Sequence, residues 1–384
     1  MTTLDYLEKL LAFDTTSAHP NIELIAWVQA QLEAMGAVVQ VIANADGSKA
    51  NLFATIGPAD RGGGMLSGHT DVVPVAGQDW TFPPFAMTCR DGNVYGRGSA
   101  DMKGFVAAML SAAQQASSQV LRTPLHLALS YDEEIGCLGV RSLIDMLNVS
   151  LHRPQMCIVG EPTGLAVAIG HKGKTAVRVS FTGCAGHSAL APFAVNALYL
   201  ANDFITVLRQ VQADFQAGTG LDLDYDVPYT TLHVGRIVGG GALNIVPHHC
   251  ELDFEIRNLA KDDPDKILKF LRQSAEDIVE AARHIAPAAN IEIEVFNTYP
   301  GLNTPRTAAV VGFVKSLTGA NGTCKVAYGT EGGLFDQRLG VPTVVCGPGD
   351  MAQGHKPDEF VTEAQLNACD AMLTNLVTRL VAGL

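Results

Sequence analysis

Apolar and polar positions follow two different patterns along the chain, and each pattern predicts its own architecture. In the first part, apolar residues recur at helical spacing over residues 3–13 and 22–35. Short uninterrupted apolar runs follow, as in "GGGMLSGHTDVVP", "PLHLALSYDEE" and "QMCIVGEPT", with an Ala-rich helix predicted from Met102 to about Ala116. Because buried strands alternate with helices, this part indicates an α/β domain with a mostly parallel sheet flanked by helices.

The middle of the chain alternates apolar and polar residues along its strands. Half-buried strands are predicted at "TAVRVSFTG", "YTTLHVGRIVGG", "HHCELDFEIRNL" and "NIEIEVF". Helices are predicted from about Val195 to Val211 and from Pro264 to about His284. The resulting order, β-α-β-β-α-β, is that of a ferredoxin-like unit.

The first pattern returns after about residue 300, with a helix over residues 305–317, the strand "VPTVVCG" and a terminal helix. We therefore predict a discontinuous domain, residues 1–175 and 300–384, with residues 176–299 inserted into it. A chain of 384 residues is long for one hydrophobic core, which agrees with two domains.

Composition narrows the partners and the compartment. The net charge of −13 argues against nucleic acid and anionic membranes, because their phosphates would be repelled. The eight cysteines form no CxxC pair and several lie in apolar runs, which indicates reduced thiols and a cytoplasmic protein. The first residues lack the basic and apolar regions of a signal peptide, and no apolar run reaches the length of a membrane span.

Charged side chains follow the apolar runs where the predicted parallel strands end. They are His69 and Asp71 after "MLSG", Glu133 and Glu134 after "LHLALSYD", Glu161 after "MCIVG", Asp101 in a Gly-rich loop, and His355 beyond "VPTVVCGPG". Because chemistry collects beyond the carboxyl ends of parallel strands, we expect these side chains to converge in one crevice.

Crowded carboxylates require compensating positive charge, and divalent metals provide it. Carboxylate and imidazole ligands suit zinc, with cobalt or manganese as substitutes. Two zinc ions that share a carboxylate would lie roughly 3.5–4 Å apart with a water between them. Asp71 shares a strand face with His69 and could accept a hydrogen bond from its second ring nitrogen. Of two adjacent glutamates, one can bind metal while the other acts as general base.

An ordered set of motifs, "SGHTDVVP", "YGRGSADMKGF", "DEEIG", "VGEPT", "GHKGK", "GHSA" and "GTEGG…GPGDMAQGHKPDEF", covers nearly the whole chain. It resembles the M20 family of dinuclear zinc amidohydrolases, most closely the acetylornithine deacetylase branch. The resemblance implies two Zn²⁺ per chain and the following roles: His69 and Glu161 bind one zinc, Glu134 and His355 bind the other, Asp101 bridges them, Glu133 is the catalytic general base and acid, and Asp71 orients His69.

The resemblance also assigns residues of the inserted domain. It implies that His187 reaches the active site of a partner subunit and stabilises the oxyanion, so a homodimer formed through a dimerisation (lid) domain is expected. Asn244 and Arg257 match positions that bind substrate, and the arginine would take the substrate carboxylate.

The implied activity is metal-dependent hydrolysis of a small N-acyl amino acid, N2-acetyl-L-ornithine to L-ornithine and acetate, as in arginine biosynthesis. A succinyl-diaminopimelate desuccinylase is an alternative, although that branch carries "GGTSD" where this chain has "GTEGG". Deacetylation of acetylcitrulline or another N-acyl amino acid also stays open. A single-metal peptidase and a non-catalytic binding protein on the same fold are further alternatives, and metal content would separate them: two ions, one, or none.

Overall fold

The computed structural model describes all residues, 1–384, and divides into two compact units. Unit 1 comprises Met1–His171, Leu302–Val326 and Thr330–Leu384, and unit 2 comprises Lys172–Gly301 and Ala327–Gly329. Each unit has its own hydrophobic core. No helix combines the length and the hydropathy that crossing a membrane requires.

The helices and strands follow in chain order. The helices are α1 (Thr3–Leu11), α2 (Ile22–Ala34), α3 (Lys103–Ser117), α4 (Val140–Asn148), α5 (Ala197–Ala217), α6 (Pro264–Arg283), α7 (Ala309–Thr318), α8 (Gly332–Leu334) and α9 (Glu363–Ala382). The strands are β1 (Val38–Ala43), β2 (Ala50–Ile56), β3 (Gly64–His69), β4 (Thr88–Arg90), β5 (Asn93–Tyr95), β6 (Leu125–Ser130), β7 (Met156–Pro162), β8 (Ala168–His171), β9 (Lys174–Thr182), β10 (Gly186–His187), β11 (Thr231–Gly239), β12 (Ile245–Val246), β13 (His249–Arg257), β14 (Asn290–Tyr299), β15 (Leu302–Asn303), β16 (Cys324–Val326), β17 (Thr343–Gly347) and β18 (Phe360–Thr362).

Unit 1 is built on a nine-stranded mixed sheet in the order β1-β2-β6-β3-β7-β17-β8-β15, with β16 also paired to β8. The predicted α/β class is confirmed, but the prediction of a mostly parallel sheet is wrong. Only the central strands β6, β3, β7 and β17 form a continuous parallel block, whereas β1, β2, β8 and β15 make antiparallel pairs. The reason at one margin is the short turn between β1 and β2, since a parallel crossover needs a dozen or more residues.

The parallel block is buried on both faces, as its uninterrupted apolar runs predict. Every residue of β3 and β6 is buried, and α3 packs against α1, α9 and the sheet. Close approach between α3 and β7 depends on Gly160, because a Cβ built there would lie 1.8 Å from Cδ1 of the buried Phe105. The glycine thus lets the helix lie against the strand directly beside Glu161.

Helix boundaries agree with the sequence where end signals are present. The Thr2 side chain accepts from the backbone of Asp5 in a capping box at the start of α1, and Asp263 caps α6 just before Pro264. The helix expected over residues 305–317 instead begins at Ala309, because Ala308 is extended and precedes the first turn.

Unit 2 contains a four-stranded sheet in the order β11-β13-β9-β14, in which every pair is antiparallel. Helices α5 and α6 pack against each other, and both pack on strands of this sheet. Alternate residues of the strands, such as Val179 and Phe254, are buried in the core that the helices share. Their neighbours carry ion pairs, including Arg178 with Asp253 at 2.8 Å. The alternating sequence pattern therefore corresponds to a sheet covered by helices on one face.

Candidate metal centre

The carboxyl ends of the parallel strands β3, β6, β7 and β17 lie at one edge of the unit 1 sheet, and the predicted ligands are found there. They are His69 at the end of β3, Glu133 and Glu134 after β6, Glu161 near the end of β7, His355 in the loop after β17, and Asp101 just before α3. The strand order accounts for this placement, because neighbouring parallel strands deliver their following residues to the same edge.

Asp101 lies between two imidazoles and contacts each with a different oxygen. Its Oδ1 is 3.2 Å from Nε2 of His69, and its Oδ2 is 3.2 Å from Nε2 of His355. Each imidazole has a second carboxylate beside it: Glu161 Oε1 is 3.7 Å from His69 Nε2, and Glu134 Oε2 is 3.1 Å from His355 Nε2. The arrangement consists of two imidazole–carboxylate pairs, one on each side of a shared carboxylate.

Glu133 lies beside the first of these pairs. Its carboxylate and the ligand atoms of His69 and Glu161 lie within 4.8 Å of one another, and those of His69, Asp101 and Glu134 form a second such group. The adjacent glutamates therefore contribute to different groups. The separate roles expected for them, one as metal ligand and the other as general base, stay predictions.

Asp71 contacts the centre in a different way from the one expected. The Nδ1 of His69 is 2.8 Å from the backbone carbonyl of Asp71, whereas the nearest carboxylate oxygen of Asp71 is 3.6 Å away. The carboxylate instead accepts hydrogen bonds from the Ser17 hydroxyl at 2.8 Å and from the backbone N–H groups of Glu133 and Glu134 at 3.1 and 3.3 Å. Asp71 therefore holds the backbone of both glutamates as well as the ring of the histidine.

The glutamates of the centre resist ionisation. Burial raises the pKa of the Glu133 and Glu161 carboxyls well above their usual range and raises the pKa of Glu134 to about 7. The negative charge of Asp101 raises the pKa of Glu134 and Glu161 further. The shifts reflect the free-energy cost of holding several negative charges in one buried cluster.

The pKa shifts of Asp101 and of the two histidines favour their charged forms. Burial opposes ionisation of Asp101, but hydrogen bonds from His355 and His69 hold the pKa of its carboxyl below its usual range. Burial also disfavours a charged His69, yet its hydrogen bond to Asp101 and the charge of Glu161 raise its pKa well above the ordinary value. Hydrogen bonds to Asp101 and Glu134 raise the pKa of His355 to about 10. The carboxylates thus attract positive charge, which a divalent cation would also supply.

The donor set fits divalent metal. One oxygen of the cluster, Glu134 Oε1, is buried and has no hydrogen-bond partner, although buried carboxylate oxygens are normally paired. Imidazole nitrogens and carboxylate oxygens are the ligands found in zinc enzymes with open coordination positions. The residues at this edge of the sheet therefore form candidate metal-binding groups.

Comparison with known proteins identifies the family of the chain. Residues 65–379 match the family described as Peptidase family M20/M25/M40. The chain belongs to this family. Family membership, as predicted from the motifs, is confirmed, and the M20 chain is a hydrolase of amide bonds.

The M20 chain is similar in sequence to acetylornithine deacetylase of Myxococcus xanthus, with 35% identity over 98% of this chain and 97% of that protein. Its fold is similar to the M20 family metallo-carboxypeptidase Sso-CP2 from Sulfolobus solfataricus, with a TM-score of 0.79, 20% identity and 99% of each chain covered. It is also similar to Bacillus subtilis YXEP protein, described as a dinuclear metal-binding peptidase of the M20 family, with a TM-score of 0.69, 14% identity and coverage of 100% and 98%. At 20% and 14% identity, these two similarities show a shared fold and carry no statement about activity.

Three predicted site residues of the M20 chain lie in unit 2. His187 is exposed on β10, where its Nδ1 accepts a hydrogen bond from the backbone N–H of Ala189 at 3.1 Å. Asn244 lies close by, and its carbonyl accepts a hydrogen bond from the Ser188 N–H at 3.0 Å. Arg257, the last residue of β13, donates to the Glu255 carboxylate at 2.9 Å and to the Tyr299 hydroxyl at 3.2 Å. The structure thus brings His187 and Asn244 together and places Arg257 elsewhere on the unit.

Two buried residues beside the centre were not singled out from the sequence. Arg97 and Glu359 are each 1% exposed and form an ion pair of 2.6 Å next to Asp101 and His355. Both lie inside quoted motifs, "YGRGSADMKGF" and "GHKPDEF". Charged residues are almost never fully buried without a partner. An arginine and a glutamate within motifs that are expected to surround a buried centre could therefore have been predicted to pair.

Proposed function

We propose that the chain hydrolyses a small N-acyl amino acid with the help of two divalent metal ions, and that N2-acetyl-L-ornithine, which yields L-ornithine and acetate, is the substrate. The observation that carries the proposal is the placement of Asp101 between two imidazole–carboxylate pairs. The choice of substrate rests on the 35% identity to a protein named acetylornithine deacetylase.

In this proposal His69 and Glu161 would hold one ion, His355 and Glu134 would hold the other, and Asp101, which lies between the two imidazoles, would serve both. Zinc suits these ligands, and cobalt or manganese could replace it. When bound, such a metal pair supplies a lowered pKa for a water molecule and polarises the amide carbonyl.

Glu133 is the proposed general base and acid. Its carboxyl is buried and lies beside His69 and Glu161, and its Oε1 accepts a hydrogen bond from the Cys137 thiol at 3.3 Å. Burial raises the pKa of this carboxyl, which makes its ionised form a stronger base. Glu133 would accept a proton from the attacking water on a carboxylate oxygen and deliver that proton to the leaving amine.

Asp71 would position this base. Its carboxylate binds the N–H of Glu133 and of Glu134, so one buried anion keeps the two glutamates in a fixed relation. Loss of that anion would leave both N–H groups without their partner and shift the base and a metal ligand together.

Substrate binding is assigned to unit 2, which we propose is a ferredoxin-like dimerisation domain. Arg257 would pair with the substrate carboxylate, and Asn244 and His187 would bind the scissile amide, with His187 stabilising the oxyanion. The β10–β12 pair that carries His187 joins the chain at the start of β13, whereas Arg257 ends β13. The nine residues of β13 place its two ends roughly 27 Å apart at 3.4 Å per step. This separation supports a site in which Arg257 and His187 come from different copies of the chain.

A second copy of the chain would provide His187 to the site. Exposed apolar side chains gather where α5 begins, where β11 ends and around β10 and β12: Leu190, Phe193, Tyr199, Ile237, Leu243 and Ile245. Exposed apolar patches of this kind are typical of interaction sites, and β11 is an edge strand of its sheet, with backbone groups available for pairing. We assign this surface to a homodimer interface.

Mixing two inactive variants tests whether His187 acts across that interface. His187→Ala retains Glu133, and Glu133→Gln retains His187, so a mixed dimer would contain one complete site. After dissociation and reassociation, about a quarter of the wild-type activity should return if the partner provides His187. An inactive mixture that sedimentation shows to contain mixed dimers would contradict the assignment.

A substrate screen tests the reaction itself. The zinc-loaded protein should hydrolyse N2-acetyl-L-ornithine with the highest kcat/KM in a panel that also contains N-acetylcitrulline, other N-acetyl amino acids and N-succinyl-diaminopimelate. A preference for the succinyl substrate or for acetylcitrulline would change the proposed substrate but leave the proposed reaction, hydrolysis of an N-acyl amino acid, in place. Two bound metals without hydrolysis of any panel member would contradict the proposed function.

The setting that we propose is the cytoplasm, as part of arginine biosynthesis. All eight cysteines are free thiols, and five of them are buried. Reduced thiols of this kind are typical of proteins from a reducing compartment.

A further inference from the structure

The carboxylate of Glu359, next to the metal centre, binds the backbone segment that carries Asp101. The Oε1 of Glu359 accepts hydrogen bonds from the N–H groups of Gly98, Ala100 and Asp101 at 3.1, 3.0 and 3.0 Å. The antiparallel pairing of β5 with β18 places the two segments side by side, and Gly96 N–H donates to the Glu359 carbonyl at 3.0 Å. Because three N–H groups donate to one buried carboxylate, the backbone at and just before Asp101 is held in one conformation.

The other oxygen of Glu359 connects this backbone to the segment that carries His355. Arg97 Nη1 donates to Glu359 Oε2 at 2.6 Å and to the carbonyl of Lys356 at 3.2 Å. Arg97 Nη2 donates to Gln78 Oε1 at 2.5 Å, and Gln78 Nε2 donates to the carbonyl of His355 at 3.1 Å. We call Gln78, Arg97 and Glu359 the clamp. Its hydrogen bonds run from the Asp101 backbone to the His355 backbone without touching either side chain.

The two imidazoles of the centre differ in how much they need such support. The His69 side chain is 1% exposed and belongs to β3, a strand with paired neighbours on both sides. The His355 side chain is 50% exposed, lies in a loop, and its backbone has a φ of 63°, a left-handed conformation that is unfavourable for histidine. Packing therefore holds His69, whereas His355 depends on the contacts of its loop.

We propose that Glu359 is a positioning residue that, through Arg97 and Gln78, sets the spacing between Asp101 and His355 and thereby selectively determines the affinity of the metal site formed by His355 and Glu134. This inference rests on the proposed function only in taking the centre to bind two metals. The site formed by His69 and Glu161 shares Asp101 but has its histidine anchored in the sheet, so it depends less on the clamp.

The test is direct measurement of metal binding to the full chain by the variant Glu359→Gln, with zinc titrated against a chelator of known affinity. Glutamine retains the volume and one acceptor for the backbone N–H groups but removes the charge opposite Arg97. One of the two zinc affinities should fall about 10- to 100-fold, the effect typical of residues that support metal ligands, while the other falls much less. Wild-type affinities at both sites, or equal losses at both, would overturn the inference.

Double variants identify which site the clamp supports. In a His355→Ala background, Glu359→Gln should add little to the loss of zinc affinity, because the ligand that it positions is already absent. In a Glu161→Gln background the two losses should add. Additivity in both backgrounds would show that Glu359 acts by some route other than His355.

A matched control and a milder variant keep the test decisive. Glu363→Gln makes the same charge change four residues further on, at the partly exposed start of α9, and should leave both affinities unchanged. If Glu359→Gln does not fold, Gln78→Ala breaks the link to the His355 carbonyl and leaves the buried ion pair intact. It should weaken the same site by a smaller factor, and an unchanged affinity in Gln78→Ala would likewise overturn the inference.

Activity measured against zinc concentration separates positioning from catalysis. Glu359→Gln should need about 10- to 100-fold more zinc for half of its maximal rate, and its kcat at saturating zinc should approach that of wild type. A protein that binds two zinc ions but hydrolyses no N-acyl amino acid would refute the proposed function and leave the zinc-binding test of the clamp intact. Identical zinc binding by wild type and variant would refute the clamp whatever the substrate.

Discussion

Replacing Glu133 with glutamine should stop turnover and leave the metals in place. The two side chains have the same shape, and the backbone hydrogen bond from Glu133 N–H to Asp71 at 3.1 Å does not involve the replaced group. The thiol of Cys137, 3.3 Å from Glu133 Oε1, can still donate to the amide oxygen. We therefore expect a change in the free energy of unfolding of less than about 1 kcal/mol.

The effect on the rate should be much larger. A positioned general base contributes about 10²- to 10⁴-fold to a rate, which corresponds to about 3 to 5 kcal/mol of activation free energy at 1.36 kcal/mol per tenfold. Glutamine cannot accept the proton of the attacking water at neutral pH, so kcat should fall by this factor. Because Glu133 does not hold a metal in our assignment, the affinity for zinc should stay close to that of wild type.

Glu134→Gln is the matched comparison, since it makes the same change one residue later at the carboxylate that lies 3.1 Å from His355. This variant should lose affinity for zinc and recover part of its activity when zinc is added in excess. Steady-state hydrolysis of N2-acetyl-L-ornithine, with bound zinc measured on the same samples, distinguishes the two variants. A Glu133→Gln protein that retains kcat within tenfold, or that loses zinc as Glu134→Gln does, would exclude Glu133 as the general base.

Three further predictions concern stability. Removing divalent metal with a chelator should lower the melting temperature, because a ligand at 100 times its dissociation constant stabilises the native state by about 2.7 kcal/mol, and an unchanged melting temperature would argue against a metal-binding native state. His126, whose pKa burial lowers to about 4, should bind a proton more readily in the unfolded chain, so stability should fall by about 3 kcal/mol as the pH drops from 6.5 to 4. Denaturant titrations of the metal-free protein should show that this part of the pH dependence is absent in His126→Phe. If the free energy of unfolding changed equally with pH in wild type and variant, His126 would be excluded as its source. Gly160→Ala should destabilise unit 1 by about 1 to 3 kcal/mol through its 1.8 Å approach to Phe105, and the change should be smaller in a Phe105→Leu background, whereas strictly additive effects would mean that the two residues do not clash.

Local pattern accounts for most of the elements that the sequence predicted. Helical spacing and end signals such as Pro264 predicted α6 to within about one residue, and alternation predicted the strands of unit 2, because the period of a buried face is a local property of each segment. The order of the strand-end acids and histidines predicted which side chains would meet at the edge of the sheet. Chemistry that depends on residue type and strand polarity was therefore accessible without a structure.

Pairings between distant segments were not accessible in this way. The antiparallel margins of the unit 1 sheet depend on which strands lie next to one another, and the apolar run of β2 is compatible with either direction. The carboxylate of Asp71 was expected at the His69 ring, but it binds the N–H groups of Glu133 and Glu134, more than sixty residues away. That partner exists only once β3 and β6 are paired.

Residue chemistry and short-range periodicity were thus enough to predict the family, the two architectural patterns and the types of residue that meet at the edge of the sheet. The folded structure was needed to establish the mixed direction of the sheet, the pKa shifts of the buried acids and the contact of Glu359 with the Asp101 backbone, 258 residues away in the chain. The physical reason is that hydrogen bonding, burial and charge interaction depend on distance in space, and for these groups that distance is set by the packing of segments remote in sequence.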